Sequence, residues 1–256
     1  MQRLWLRWLV LALFVAVVAV AFTSLGRWQL DRLEQRRHAN AHVAEQQQLP
    51  PVPAGQALGQ EVTDADQWRR VELSGTFDAE HQLAVRQRRN GEAAGYEVLT
   101  PLRTPDGAAV LVSRGFVTLE QGQPVPDTLP APPGGAVTVQ GWLRRNEQGR
   151  DPLITPIRSS VRLVNAPAVA ATLPYPVTTT GWVAAYAVEP AQPGALEPIQ
   201  VPAPTEGNHF SYALQWFAFT GIAVVGVVVL VRGDLRERRQ AAGAGSGGPG
   251  PGPDPG

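Results

Sequence analysis

The chain of 256 residues sets 22 Arg, with no Lys, against 22 Asp and Glu, and it has no Cys. Zero net charge argues against a nucleic-acid binder, which carries a basic excess, and the missing Cys excludes disulfides, zinc-thiolate and iron–sulfur sites and a Cys nucleophile. Gly 26 and Pro 24, about 20% together, stay below the ~25–30% at which disorder is the default.

Residues 1–7 form a short basic N-terminus with Arg3 and Arg7. Trp8–Leu25, WLVLALFVAVVAVAFTSL, follows as 18 residues without a charge. A bilayer core of ~30 Å takes about 20 apolar residues as helix, so this run predicts a membrane span. A cleaved signal peptide is the rival, because the Arg pair precedes it and Ala19-Val20-Ala21 is spaced like a cleavage site. That site lies inside the apolar run, with Phe22 and Leu25 still to come, so an uncleaved anchor is expected. Residues 26–48 then read as a juxtamembrane helix carrying Arg27, Arg32, Arg36 and Arg37. His38 and His42 are four apart on it, a spacing that can ligate a metal, but no third ligand is evident. They read as solvated polar positions.

Residues 49–207 read as one extracytoplasmic β-rich domain with Pro-rich linkers. Its apolar residues alternate with period two: Val71, Leu73 and Phe77 in Trp68–Phe77; Leu83 and Val85; Tyr96 and Val98 in Gly95–Leu102; Val110, Val112 and Phe116 in Ala108–Val117; Val137, Val139 and Leu143; then Trp182, Ala184, Tyr186 and Val188. Asp78-Ala79-Glu80, Asn90-Gly91 and Pro105-Asp106-Gly107 mark turns between them. Six or more short antiparallel strands predict a small barrel or a strongly bent sheet, and the pattern does not choose between them. Leu49–Gly59, Gln121–Gly135 and Glu189–Gly207 are Pro-rich and read as extended connectors rather than helix or central strand. Asn165–Leu173, Ala-rich after an Asn cap, reads as a short helix.

Residues 208–231 form the second membrane element, with Tyr212–Val231 giving 20 residues free of charge. The tail, 232–256, is basic at first and then Gly/Pro/Ala-rich, which predicts disorder. Arg232, Arg236, Arg238 and Arg239 follow the second run, whereas 189–211 holds no Arg. Cytoplasmic flanks keep positive charge, so both termini are expected in the cytoplasm. Residues 38–207 carry 12 Arg against 17 acids, net −5, and the two ends together are net +5. The four Arg after the first span then lie outside, against the charge rule, and need a reason to be there.

Catalytic chemistry is not announced. The only His are His38, His42, His81 and His209, and none sits in a hydrolase or metalloprotease motif. Asp64, Asp66, Glu72, Asp78 and Glu80 read as solvated turns and strand ends, His81 as exposed, and Arg86, Arg88 and Arg89 as an edge-strand charge run. His209 differs. If a helix starts near Asn208, then His209, Tyr212, Ala213 and Trp216 share one face, placing an imidazole at the outer membrane interface above two aromatics. Imidazole can ligate haem iron and aromatics can line a porphyrin; an ordinary interfacial aromatic belt gives the same pattern.

These residues also carry a resemblance. NHFSYALQWF at Asn208–Phe217, ahead of a C-terminal span, resembles the Surfeit locus protein 1 family of cytochrome c oxidase assembly factors, as does GRWQLDRL at Gly26–Leu33. Gly95–Leu102, then Val112–Val117 and Gly141–Arg144, are similar to the family's strands in the same order. Gln35-Arg36 and Phe116 depart from the usual family residues, and Asp151–Thr180 matches poorly, reading as a lineage-specific loop.

The resemblance implies a protein that is no enzyme: an assembly factor that binds haem a and helps insert it into the oxidase catalytic subunit. The machinery of haem a synthesis is a further implied partner. It also implies His209 as the iron ligand; on the chemistry of the residues themselves, Tyr212 and Trp216 would pack the ring. Arg32 or Arg36, at the same membrane level, would pair the propionates. The alternative is a scaffold that holds oxidase subunits without haem. Abundant Ala, Arg, Gly and Pro without Lys points to a GC-rich bacterial genome, hence to the plasma membrane.

Overall fold

The computed structural model describes residues 2–194, 196–201 and 203–244, with side chains described for 5–240 within them. In chain order the first elements are α1 (Gln2–Gln48), β1 (Val52–Pro53), α2 (Ala54–Ala57), β2 (Arg70–Phe77), β3 (Leu83–Asn90), β4 (Ala93–Arg103) and β5 (Ala109–Thr118). Then come β6 (Ala136–Arg144), α3 (Asp151–Ile154), β7 (Ser160–Val161), α4 (Ala166–Ala170), β8 (Trp182–Glu189) and α5 (His209–Ala244). They make two compact units, one from residues 1–38 with 205–256, the other from 39–204.

In the second unit the sheet closes on itself. β2 pairs antiparallel with β6 along Arg70–Thr76 and again with β4 at Thr76 and Phe77. β4 pairs antiparallel with β5, and β6 with β8. The parallel pair β5–β8 completes the ring, giving a five-stranded barrel in the order β2–β4–β5–β8–β6. Closure chooses the barrel over the bent sheet, and it removes the free edges that an open sheet of this size would present. β3 extends the sheet from β4 and carries β7, while β1 lies parallel against β2.

Alternation holds where one face of a strand meets solvent, as in β2 and β6, whose inward residues are buried in every second position. It fails in β4 and β5, which are buried almost throughout. Val110 and Val112 join one core with Leu73, Phe77, Val139 and Leu143, and Leu111 between them joins another with Val85, Leu99, Val164 and Trp182. A strand covered on both faces reads as a continuous apolar run. The covering layer comes from the segment expected to be a lineage-specific loop: Val161, Val164, Ala166 and Val169 all pack into that second core. The short helix predicted there forms as α4, with the Asn165 side chain accepting from the Ala168 amide.

Three expectations are corrected. The linker at 49–59 holds β1 and α2, because Pro53 suits an edge strand and the position before a helix. Arg88 does not lie in an edge charge run. The β3–β4 register shifts between Val85 and Arg88, and Gln87 takes φ 57°, so the bulge turns Arg88 inward. His81 is not free at a turn, since its Nδ1 lies 2.9 Å from Asp78 Oδ2 and its ring meets Tyr175 edge-on.

In the first unit the described helices include two long and apolar enough to cross a membrane. Their large apolar side chains, such as Leu9, Leu13, Phe14, Ile222 and Val225, stay exposed. That outward apolar surface is what lipid accommodates. α5 continues to Ala244, and the remainder of the Gly/Pro-rich tail, 245–256, lies outside the described residues.

Candidate functional site

The GRWQLDRL motif lies on α1 and the NHFSYALQWF motif opens α5, and the structure brings them together. Gly26 is buried in α1, and a Cβ built there would stand 2.7 Å from the Phe217 ring. Glycine here leaves room for the Phe217 ring against the backbone of α1. Phe22, one turn earlier, stacks tilted on Trp216 at 5.2 Å and meets Phe219 at 6.0 Å. Ala213 is fully buried, and Leu33 continues the same stripe of α1. Gly26, Gln29 and Leu33 follow helical spacing, so one face of α1 carries the contact.

His209 sits at the first turn of α5, half-buried. Its Nδ1 lies 2.8 Å from Gln29 Oε1. Just before it, Gly207 takes φ 63°, and its amide donates to the Thr205 hydroxyl at 3.1 Å. A Cβ on Gly207 would stand 3.4 Å from His209 Cδ2 and 3.6 Å from Nε2. The glycine therefore serves twice, by reaching a left-handed backbone conformation and by leaving the Nε2 edge of the ring uncrowded.

The other predicted residues are distributed around this pair. Trp216 is inside the aromatic cluster with Phe22 and Phe219. Tyr212 is half-exposed. Arg32 donates from Nη1 to Gln35 Oε1 at 3.0 Å and lies 5.6 Å from the Trp28 ring centroid. Arg36 is exposed. Its neighbour Arg37 makes a two-pronged pair with Glu206, at 2.8 and 2.9 Å, and that hydrogen bonding holds the Glu206 carboxyl below the usual carboxylate range. Sequence reasoning named neither Gln29 nor Gly207 as a site residue. The glycine one residue before the Asn-His helix start was the available signal.

The barrel unit has polar clusters of its own. Arg88 pairs with Glu147 at 2.7 Å and Glu97 at 3.2 Å, while Ser113 donates to the buried Glu97. Burial opposes the Arg88 charge, and the two carboxylates outweigh it. Arg114, 1% exposed, has no carboxylate partner among the described residues. It donates instead to Thr100 Oγ1, Gln192 Oε1, Gln82 Oε1 and the carbonyls of Pro130 and Ala131, which uses all five of its N–H groups. Burial lowers its pKa to about 10. The Arg114 donors are all used in this way, whereas Arg88 Nε makes only the ion pair with Glu97, and Arg69 Nη1 and Arg144 Nε are buried without a hydrogen bond. Among the described residues no three His, Cys, Asp or Glu side chains are placed to hold a metal ion. His38 lies beside Glu34, and His42 Nε2 contacts the Ala65 carbonyl.

Comparison with known proteins agrees with these motifs. The sequence model of the SURF1 family matches residues 16–221. A SURF1-like protein of Mycobacterium tuberculosis is 32% identical over 240 residues, covering 91% of this chain and 86% of that protein. The cytochrome oxidase assembly protein SHY1 of Saccharomyces cerevisiae is 28% identical over 117 residues, 45% of this chain and 30% of that protein. A SURF1-like protein of Rickettsia bellii is 27% identical over 106 residues, 41% of this chain and 42% of its own.

Proposed function

Because the chain belongs to the SURF1 family, we propose that it is an assembly factor for haem–copper cytochrome c oxidase, one that binds haem a and assists its insertion into the catalytic subunit. A role in oxidase assembly is supported by the matching stretch of the yeast assembly protein. The role is one of binding and transfer, not of catalysis. The helices of the first unit lie in a bacterial plasma membrane with both termini cytoplasmic, as the Arg-rich flank after the second apolar run favours.

The observation that carries the haem reading is the environment of His209. One ring nitrogen is occupied by Gln29 and the other faces the space that Gly207 leaves. An imidazole held this way has the chemistry of an axial ligand. The donor set fits the group, with one nitrogen ligand, the half-exposed Tyr212 one turn on along α5 and cationic side chains one and two turns beyond Gln29 on α1. In this role His209 ligates the iron, and Tyr212 and Trp216 border the ring. Arg32 or Arg36 meets the carboxylates, which accounts for Arg that the charge rule would keep inside. Haem a is the cargo, handed on to the oxidase catalytic subunit.

The test is a reduced-minus-oxidised visible spectrum of the detergent-purified full chain from cells that make haem a, beside His209→Ala. A haem a band that is lost or shifted in the variant is expected. A band unchanged by the substitution moves the ligand elsewhere. A wild type without haem, from cells shown to contain it, leaves a scaffold that holds oxidase subunits.

A further inference from the structure

The contact between Gln29 and His209 has a chemical direction. A side-chain amide oxygen only accepts, so at 2.8 Å from Oε1 the Nδ1 atom must carry the hydrogen. In a neutral imidazole the other nitrogen, Nε2, then holds the free lone pair. We infer that Gln29 is the positioning residue for His209, holding the ring in the tautomer whose Nε2 can bind iron and turning that nitrogen toward the space beside Gly207. The inference rests on the reading of His209 as the haem ligand.

Three features support it. Gly26, one turn before Gln29, lets Phe217 approach the backbone of α1, which fixes the separation over which an amide can reach the ring. Gln29 meets the ring at Nδ1, which leaves Nε2 outside this hydrogen bond. Gly207 lies on the opposite edge, where a side chain would sit at van der Waals distance from Nε2. A metal-ligating His commonly donates its second N–H to an oxygen that fixes tautomer and orientation. Here that oxygen comes from an amide, which fixes the ring without adding negative charge. The spacing also explains why a Gln lies three residues after the glycine in the α1 motif.

The test uses the full chain in detergent, labelled with 15N at His, in two forms. In the haem-free form the 15N spectrum reports which nitrogen of His209 is protonated, with His209→Ala identifying its signals. Wild type is expected to show the Nδ1–H tautomer. Gln29→Leu is expected to lose it, whereas Gln29→Glu, which keeps an accepting oxygen, retains it. That conservative variant separates the loss of the acceptor from a general disturbance of the helices. In the form loaded with haem a, Gln29→Leu is expected to bind roughly 10–100-fold more weakly, with a shifted iron–histidine stretching band in the resonance Raman spectrum. An Nε2–H tautomer in the wild type, or a Gln29→Leu protein with tautomer, affinity and Raman band unchanged, overturns the inference. A wild type that takes up no haem a overturns the haem reading and the positioning role with it. A retained Nδ1–H signal in that case shows that the hydrogen bond itself was not at fault.

Discussion

The barrel unit and the helical unit solve the same problem, the burial of polar backbone and side chains, in opposite ways. In the barrel, closure satisfies the strands, and the buried guanidinium groups spend most of their donors on structural partners. Arg114 is held by five neutral acceptors, and Arg88 by two carboxylates. In the helical unit each helix satisfies its own backbone and leaves its apolar side chains exposed. What joins the two helices is a short stripe of close contacts: Gly26 with Phe217, Phe22 with Trp216, and Gln29 with His209. The barrel is therefore a place where polar groups are consumed by structure. The helix pair keeps a polar group, the His209 ring, with one edge still open.

The comparison can be broken most sharply at Arg114. Replacing it by Met removes the donors to the buried Thr100 hydroxyl and the half-buried Pro130 carbonyl, and the expected cost is about 2–4 kcal/mol. Urea denaturation followed through the barrel's Trp fluorescence measures it. A midpoint equal to wild type would show that Arg114 is not the hub described. A smaller loss is expected from Gly26→Val, about 1–3 kcal/mol for overpacking against Phe217. Hydrogen exchange should rise in peptides from 26–38 and 205–217 and stay unchanged in the barrel. Faster exchange across 70–144 would mean that the two units do not respond separately.

The smallest effect expected is at the Asp78 corner, and it depends on pH. Burial tends to raise the Asp78 pKa, but hydrogen bonds from Tyr175 and His81 outweigh it and leave it lowered. A depressed carboxylate stabilises the fold above its unfolded pKa of about 3.9, and that contribution is lost as pH falls through the lower folded value. Tyr175 shows the opposite sign, because burial and then the bond to Asp78 raise its pKa. Its contribution is complete below about pH 10 and declines above it. Asp78→Asn should cost about 0.5–1.5 kcal/mol at neutral pH and flatten the acid limb of a melting-temperature profile. An acid limb identical to wild type would remove Asp78 from this role.

Much of the fold was legible in the chain. Val137, Val139 and Leu143 alternate because one face of β6 meets solvent, and Asn165 caps α4 through contacts only three residues long. Where a signal is local, spacing reveals it. Arg88 was misread because a single bulge inverts which face a residue occupies, and no period-two count registers it. Arg114 gave no sign of its burial, since its partners lie at 82, 100, 130, 131 and 192. The site divides in the same manner. His209 stood out by its chemistry and its place before an apolar run, while the partner that orients it lies 180 residues away.

Hydropathy, charge asymmetry and alternation determined two membrane-length helices around a β domain, because burial in lipid or in a core selects residue type position by position. The tertiary structure decided that the sheet closes, that Asp151–Thr180 forms part of the core, and that Gln29 meets His209. Those outcomes depend on which distant surfaces fit, a property of shape and backbone approach that no local pattern records.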